Sequence, residues 1–141
     1  KVIFFIWTLL QNRLWTADRL AIRGWPHNDR CSTCDQLSES VQHLLLDYPF
    51  AKEIWHSFES WRPEVTAAAL SATSIQSWWT TSTRCKILHD NLHASIVAAY
   101  IAWNLWNERN RRVFQQKTTT VLGVHTMIRD EICLFVGAWE F

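Results

Sequence analysis

Two cysteines, Cys31 and Cys34, flank a Ser-Thr pair. His43 follows on a stretch of helical character, and Tyr48 closes the pattern Cys-x2-Cys-x8-His-x4-Tyr. A Cys-x2-Cys turn presents two sulfurs from one short loop, and thiolate sulfur with imidazole nitrogen is the donor set of tetrahedral zinc sites. Cys31, Cys34 and His43 are therefore the candidate zinc ligands. The fourth place holds a phenol, which ionises only near pH ~10 and is a poor ligand beside a thiol. Asp47 and Tyr48 are the protein candidates to complete the set, and water is the other occupant.

Three protein ligands and a water also make the donor count of a catalytic zinc. Hydrolysis, however, needs a general base, a shaped pocket and partners that orient the ligands, and no spacing here announces them. Glu39 and Asp35 read as ordinary solvated carboxylates, and no paired catalytic carboxylates, polymerase motif or nuclease constellation is visible. The expectation is a protein that is not an enzyme and takes no small-molecule substrate.

A second group could carry binding rather than catalysis. Arg13, Arg19, Arg23 and Arg30 are interleaved with Trp15, Trp25 and His27, and Arg19 and Arg23 share a helix face. Such a face can hold RNA or DNA through phosphates, and exposed rings can stack on unpaired bases. The plainer reading is a solvated face beside core tryptophans. Arg109, Arg111 and Arg112 suit the negative end of a helix. His89 and His93 are at helical spacing, with no further ligand near them, and Cys85 and Cys133 read as buried small hydrophobes.

The 141 residues carry a net charge of +1, with 48% hydrophobic and 19% charged residues. That balance describes a globular chain and excludes a broadly basic nucleic-acid binder. The N-terminal thirty residues hold five cations against two carboxylates, a local basic bias. Only 3 Gly and 3 Pro leave little turn chemistry and favour helices. The opening Val2–Leu10 run imitates a signal peptide, yet it lacks an initiator Met and a small-residue cleavage site. It is too short to span a bilayer, so no membrane association is expected. Its start in mid-pattern suggests a fragment of a longer chain, and the cysteine usage suggests a reduced intracellular setting.

Several elements follow from pattern. Val2 to Asn12 reads as a helix apolar nearly all round and so buried. A second helix starts at Thr16 as N-cap, with Trp15 and Leu20 spaced as a hydrophobic staple, and ends at Gly24. Ser38 or Ser40 caps a short helix over Val41 to Leu46, and Pro49 opens another that runs to Trp61. Residues 62–75 read as a connection or short helix. A long helix is expected from Arg84 to Gln116, with Ile96, Ala99 or Tyr100, Trp103, Trp106, Asn110 and Val113 on its face and Glu108 paired with Arg112. Thr118 to Thr120 break it and cap a last helix, Val121 to Trp139.

The blocks Lys1-Val-Ile-Phe-Phe-Ile-Trp7, Asn12-Arg-Leu-Trp-Thr-Ala-Asp-Arg-Leu20 and Cys31-x2-Cys34, then His43-Leu-Leu-Leu-Asp-Tyr-Pro-Phe-Ala51 and Trp55, resemble the plant reverse-transcriptase zinc-binding domain, zf-RVT. Ala102-Trp-Asn-Leu-Trp-Asn-Glu-Arg-Asn-Arg-Arg-Val-Phe114 is similar to the segment that follows that domain in the same proteins. The family sits near the C-terminal end of non-LTR retrotransposon polyproteins. The resemblance implies zinc ligands Cys, Cys, His and Cys, which fall on Cys31, Cys34, His43 and the place of Tyr48, so the chain departs from the pattern at one ligand. It also implies RNA or DNA and other domains of the polyprotein as partners, and it is compatible with the nucleus.

The expectation is thus an all-α protein. Residues 1–61 form a small helical zinc-binding region with a zinc-knuckle-like loop, 62–83 a connecting segment, and 84–141 a region of long C-terminal helices. The competing expectation is a metal-free structural or interaction remnant of a degenerate retrotransposon.

Overall fold

The computed structural model describes residues 1–26, 39–85 and 92–139, and these are helical with no strand among them. The helices are α1 Val2–Leu10, α2 Ala17–Ile22, α3 Pro49–Ser57, α4 Pro63–Ser71, α5 Ile75–Arg84, α6 Ala94–Asn110 and α7 Val121–Trp139. Two π-helical turns, His43–Asp47 and Arg111–Gln115, precede α3 and follow α6. The all-α expectation is borne out.

Helix α6 is the axis of the molecule and packs against α1, α3, α4, α5, α7 and the first π-helical turn. Alanines make this possible. Ala94, Ala98 and Ala102 line one buried stripe, beside Val97, Ile101 and Leu105, so neighbouring helices approach closely on several sides. The face expected from sequence is therefore displaced: Ile96, Tyr100, Trp103 and Trp106 are only half-buried, at the flanks of the true contact stripe. The helix also begins later than expected. His93 is its N-cap, and its Nδ1 accepts from the Ser95 amide at 3.0 Å.

Residues 62–83, the segment read as connecting and as a connection or short helix over 62–75, hold α4 and most of α5. Pro63 opens α4, where its missing N–H costs nothing. A reciprocal capping box opens α5: Ser74 Oγ accepts from the Ser77 amide at 3.0 Å, and Ser77 Oγ accepts from the Ser74 amide at 3.1 Å. Trp78 of α5 is sealed in the core and meets Trp55 edge-on at 6.0 Å.

Helix α1 departs from its expected full burial. Phe5, Ile6 and Leu9 enter the core, whereas Ile3 and Phe4 are 86% and 68% exposed. Helix α1 lies on α6, and a helix buries chiefly the face turned toward the neighbour it packs on.

Local chemistry places the segment before α3. Ser40 Oγ accepts from the His43 amide at 3.1 Å, so Ser40 caps this short turn. The Tyr48 amide then bonds back to the His43 carbonyl at 3.0 Å, the wide spacing of a π turn. Pro49 has no N–H to give the Leu45 carbonyl four residues earlier. The Trp55 indole supplies it, with Nε1 donating to Leu45 O at 2.7 Å. At the other end, Thr120 Oγ1 accepts from the Gly123 amide at 3.0 Å and caps α7 as expected.

Candidate functional site

The cysteine pair and Arg30 lie outside the described residues, as do His27 and His89. His43 and residue 48 are described. The His43 side chain is buried on the π-helical turn, and its ring centre stands 5.8 Å from that of Tyr48. Burial pushes the imidazole below its ordinary value, and the Asp47 and Glu39 carboxylates pull upward without reversing this. The neutral ring is the form that ligates metal, so His43 suits a nitrogen ligand.

Tyr48 suits the fourth ligand poorly. Its side chain is 2% exposed and its ring lies nearly parallel to Phe50 at 6.0 Å, in the apolar core. Asp47, on the same turn, is exposed. Among the described residues, no three His, Cys, Asp or Glu side chains gather as a metal site.

The basic group is organised by its tryptophans. Trp15 precedes α2 and Trp25 follows it, where Gly24 at φ +70° lets the chain turn back. The two indoles meet at 4.9 Å with 37° between their planes. Arg19 lies over Trp15 at 4.6 Å, Arg23 lies 5.6 Å from Trp15 and 5.8 Å from Trp25, and Arg13 lies over Trp7 at 5.5 Å. Trp15 is 42% exposed. The Thr16 hydroxyl turns to the Asp18 carboxylate rather than to a helix amide.

One carboxylate and its guanidinium partner overturn their sequence reading. Glu39, expected in solvent, is buried and takes a two-pronged bond from Arg109, Nε to Oε2 at 2.9 Å and Nη2 to Oε1 at 2.6 Å. The Asp18 amide donates to the Glu39 carbonyl at 3.1 Å, which ties this backbone to the start of α2. Arg109 likewise is more than a charge at a helix end. It is buried, lies over Trp106 at 4.9 Å and donates to the Trp15 carbonyl at 3.3 Å. A separation of seventy residues carries no local signal for such a pair.

Glu108 fulfils its expected pairing and exceeds it. It accepts from Arg112 Nε at 2.8 Å, Arg111 Nε at 3.0 Å and the Thr119 amide at 2.9 Å. Burial pushes its carboxyl upward, but the Thr119 amide and the two guanidinium groups outweigh this and hold it below the ordinary value. Arg112 also lies over Phe50 at 4.6 Å, linking this hub to the Tyr48 stack.

The remaining candidates have structural partners. His93 caps α6, and His125 stacks on Phe58 at 4.2 Å while bonding Ser57 Oγ at 2.7 Å. Cys85 is half-buried and Cys133 is exposed, which corrects the expectation of two buried thiols. An open groove of about 610 Å³ between α1, α6 and α7 is lined mainly by apolar side chains such as Ile3, Tyr100 and Leu134. No helix among the described residues is long and apolar enough to cross a membrane.

Residues 1–55 match the family model described as zinc-binding in reverse transcriptase, zf-RVT. The resemblance read from the motifs is thus borne out over that stretch. No curated protein and no solved structure matches the chain.

Proposed function

We propose that the chain is a non-catalytic zinc-binding module from a reverse-transcriptase polyprotein of retrotransposon type, contacting RNA or DNA through its basic face. In this reading Cys31 and Cys34 supply two sulfurs and His43 the nitrogen. The fourth position falls to Asp47 or to water, not to the phenol of Tyr48. When bound, zinc supplies a cross-link between the cysteine loop and the π-helical turn. Other domains of the polyprotein are the further partners.

The observation that carries this reading is the pairing of His43 with residue 48. Two positions that the resemblance implies as ligands have ring centres 5.8 Å apart, within the matched stretch, and the imidazole favours its neutral form. The test is the zinc-to-protein ratio after purification without chelator. A ratio near one that falls in Cys31→Ser and Cys34→Ser is expected. A ratio near zero in protein that remains helical overturns the metal assignment.

One observation favours the metal-free alternative, a structural or interaction remnant. Leu44, Leu45, Leu46 and Tyr48 are all buried, and Trp55 anchors the Leu45 carbonyl, so apolar packing holds this turn. Melting in the presence and absence of chelator separates the two. An unchanged midpoint supports the remnant, and a lowered one supports the zinc module.

A further inference from the structure

The basic face carries more than charge. Trp55 and Trp78 are sealed in the core, whereas Trp15 and Trp25 remain 42% and 46% exposed while touching each other. A six-residue helix joins them, and its left-handed exit at Gly24 brings Trp25 back beside Trp15. The Trp25 amide fixes that return by donating to the Leu20 carbonyl at 2.9 Å. From below, Arg109 holds the Trp15 carbonyl at 3.3 Å, so the backbone under the pair is anchored to α6.

We infer that Trp15 and Trp25 form a base-stacking platform, and that this face selects unpaired nucleotides over duplex. The inference rests on the nucleic-acid half of the proposed function and deepens it. A duplex keeps its bases stacked inside and offers a protein mainly phosphates, for which arginines alone suffice. A single strand offers base faces as well, and an exposed indole flanked by guanidinium groups meets both at once. Arg19 and Arg23 lie within 4.6–5.8 Å of the ring centres. Cation–π contact holds them near their working positions, so less side-chain freedom is lost when phosphate binds. Arg13 over the half-exposed Trp7 repeats the same pairing on the preceding helix.

The test is fluorescence anisotropy of the whole protein with labelled oligo-uridine and with an RNA duplex of the same length, at low and moderate salt. The single strand should bind roughly tenfold tighter or better. Trp25→Ala should lose roughly tenfold on the single strand and leave duplex binding unchanged, while Trp25→Phe recovers most of the loss. Arg23→Gln should weaken both and flatten the salt dependence. Unchanged helicity and melting of Trp25→Ala show that the fold is intact, as expected for a half-exposed ring. Equal affinity for both nucleic acids, with Trp25→Ala indistinguishable from wild type, overturns the stacking platform and leaves the electrostatic contact standing. Binding to neither removes the contact itself and the platform with it.

Discussion

Glu39 and Arg109 close a two-pronged ion pair across seventy residues of chain, with both side chains sealed from solvent. The carboxylate belongs to the family-matched stretch and the guanidinium to the last turn of α6. Arg109 also holds the Trp15 carbonyl, so one side chain fixes the segment leading to His43 and the backbone of the aromatic platform. Around it runs one continuous core, from Phe5 of α1 through Tyr48 and Trp78 to Ile132 of α7.

Removing one member of a buried pair leaves the other charged and unsatisfied. Arg109→Ala is therefore expected to destabilise the protein by about 3–5 kcal/mol. An apolar double replacement, Glu39→Met with Arg109→Leu, should recover most of that loss, since neither charge then needs solvation. Urea denaturation of the two variants measures both effects. A loss below about 1 kcal/mol for Arg109→Ala would mean that the pair is open to water.

Tyr48→Cys should act in opposite directions on two quantities. A thiolate at position 48 completes the donor set and should tighten zinc binding by tenfold or more. Removal of a buried aromatic ring should lower the metal-free stability by roughly 3 kcal/mol. A zinc titration against a chromophoric competitor, paired with melting in chelator, reads the two separately. Equal affinity in wild type and variant would place residue 48 away from the metal.

The Ser57–His125 contact gives a pH dependence whose sign follows from burial. Burial lowers the imidazole below its ordinary value of 6.5, and Arg129 adds to the shift. Ser57 Oγ donates to the Ile54 carbonyl at 2.6 Å, which leaves its lone pairs to accept from His125 Nδ1–H. The unfolded chain thus takes up a proton at higher pH than the folded one. Stability contributed by the neutral ring is complete above about pH 6.5 and is lost as the pH falls toward the lowered folded value. Urea midpoints between neutral pH and pH 5 should decline in wild type and decline less in His125→Gln. Identical slopes would assign the whole effect to other groups, His43 first among them because its imidazole is lowered in the same direction.

Signals that act within one helical turn were legible. Ser40 and Thr120 as caps, Gly24 as a stop, Pro49 as a first residue and the Glu108–Arg112 pair all appear where side-chain reach and backbone preference put them. The capping box of α5 was also present as Ser74 and Ser77, but serine in place of the usual Glu or Gln left its helix unread. The exposure of Ile3, Phe4 and Cys133 was not legible, because hydrophobicity states only what burial would gain. Whether a neighbour arrives to cover a side chain is decided elsewhere in the chain.

By itself, the order of residues determined most of the helices, most of their caps, and the resemblance that the family match bears out over residues 1–55. Those depend on interactions between residues a few positions apart. Tertiary structure alone decided that Glu39 meets Arg109, that alanines rather than tryptophans form the contact stripe of α6, and that Trp15 and Trp25 touch while remaining partly exposed. Each of these depends on which helix lies beside which, a relation settled by the joint packing of α1 through α7 around one core and by no local stretch of it.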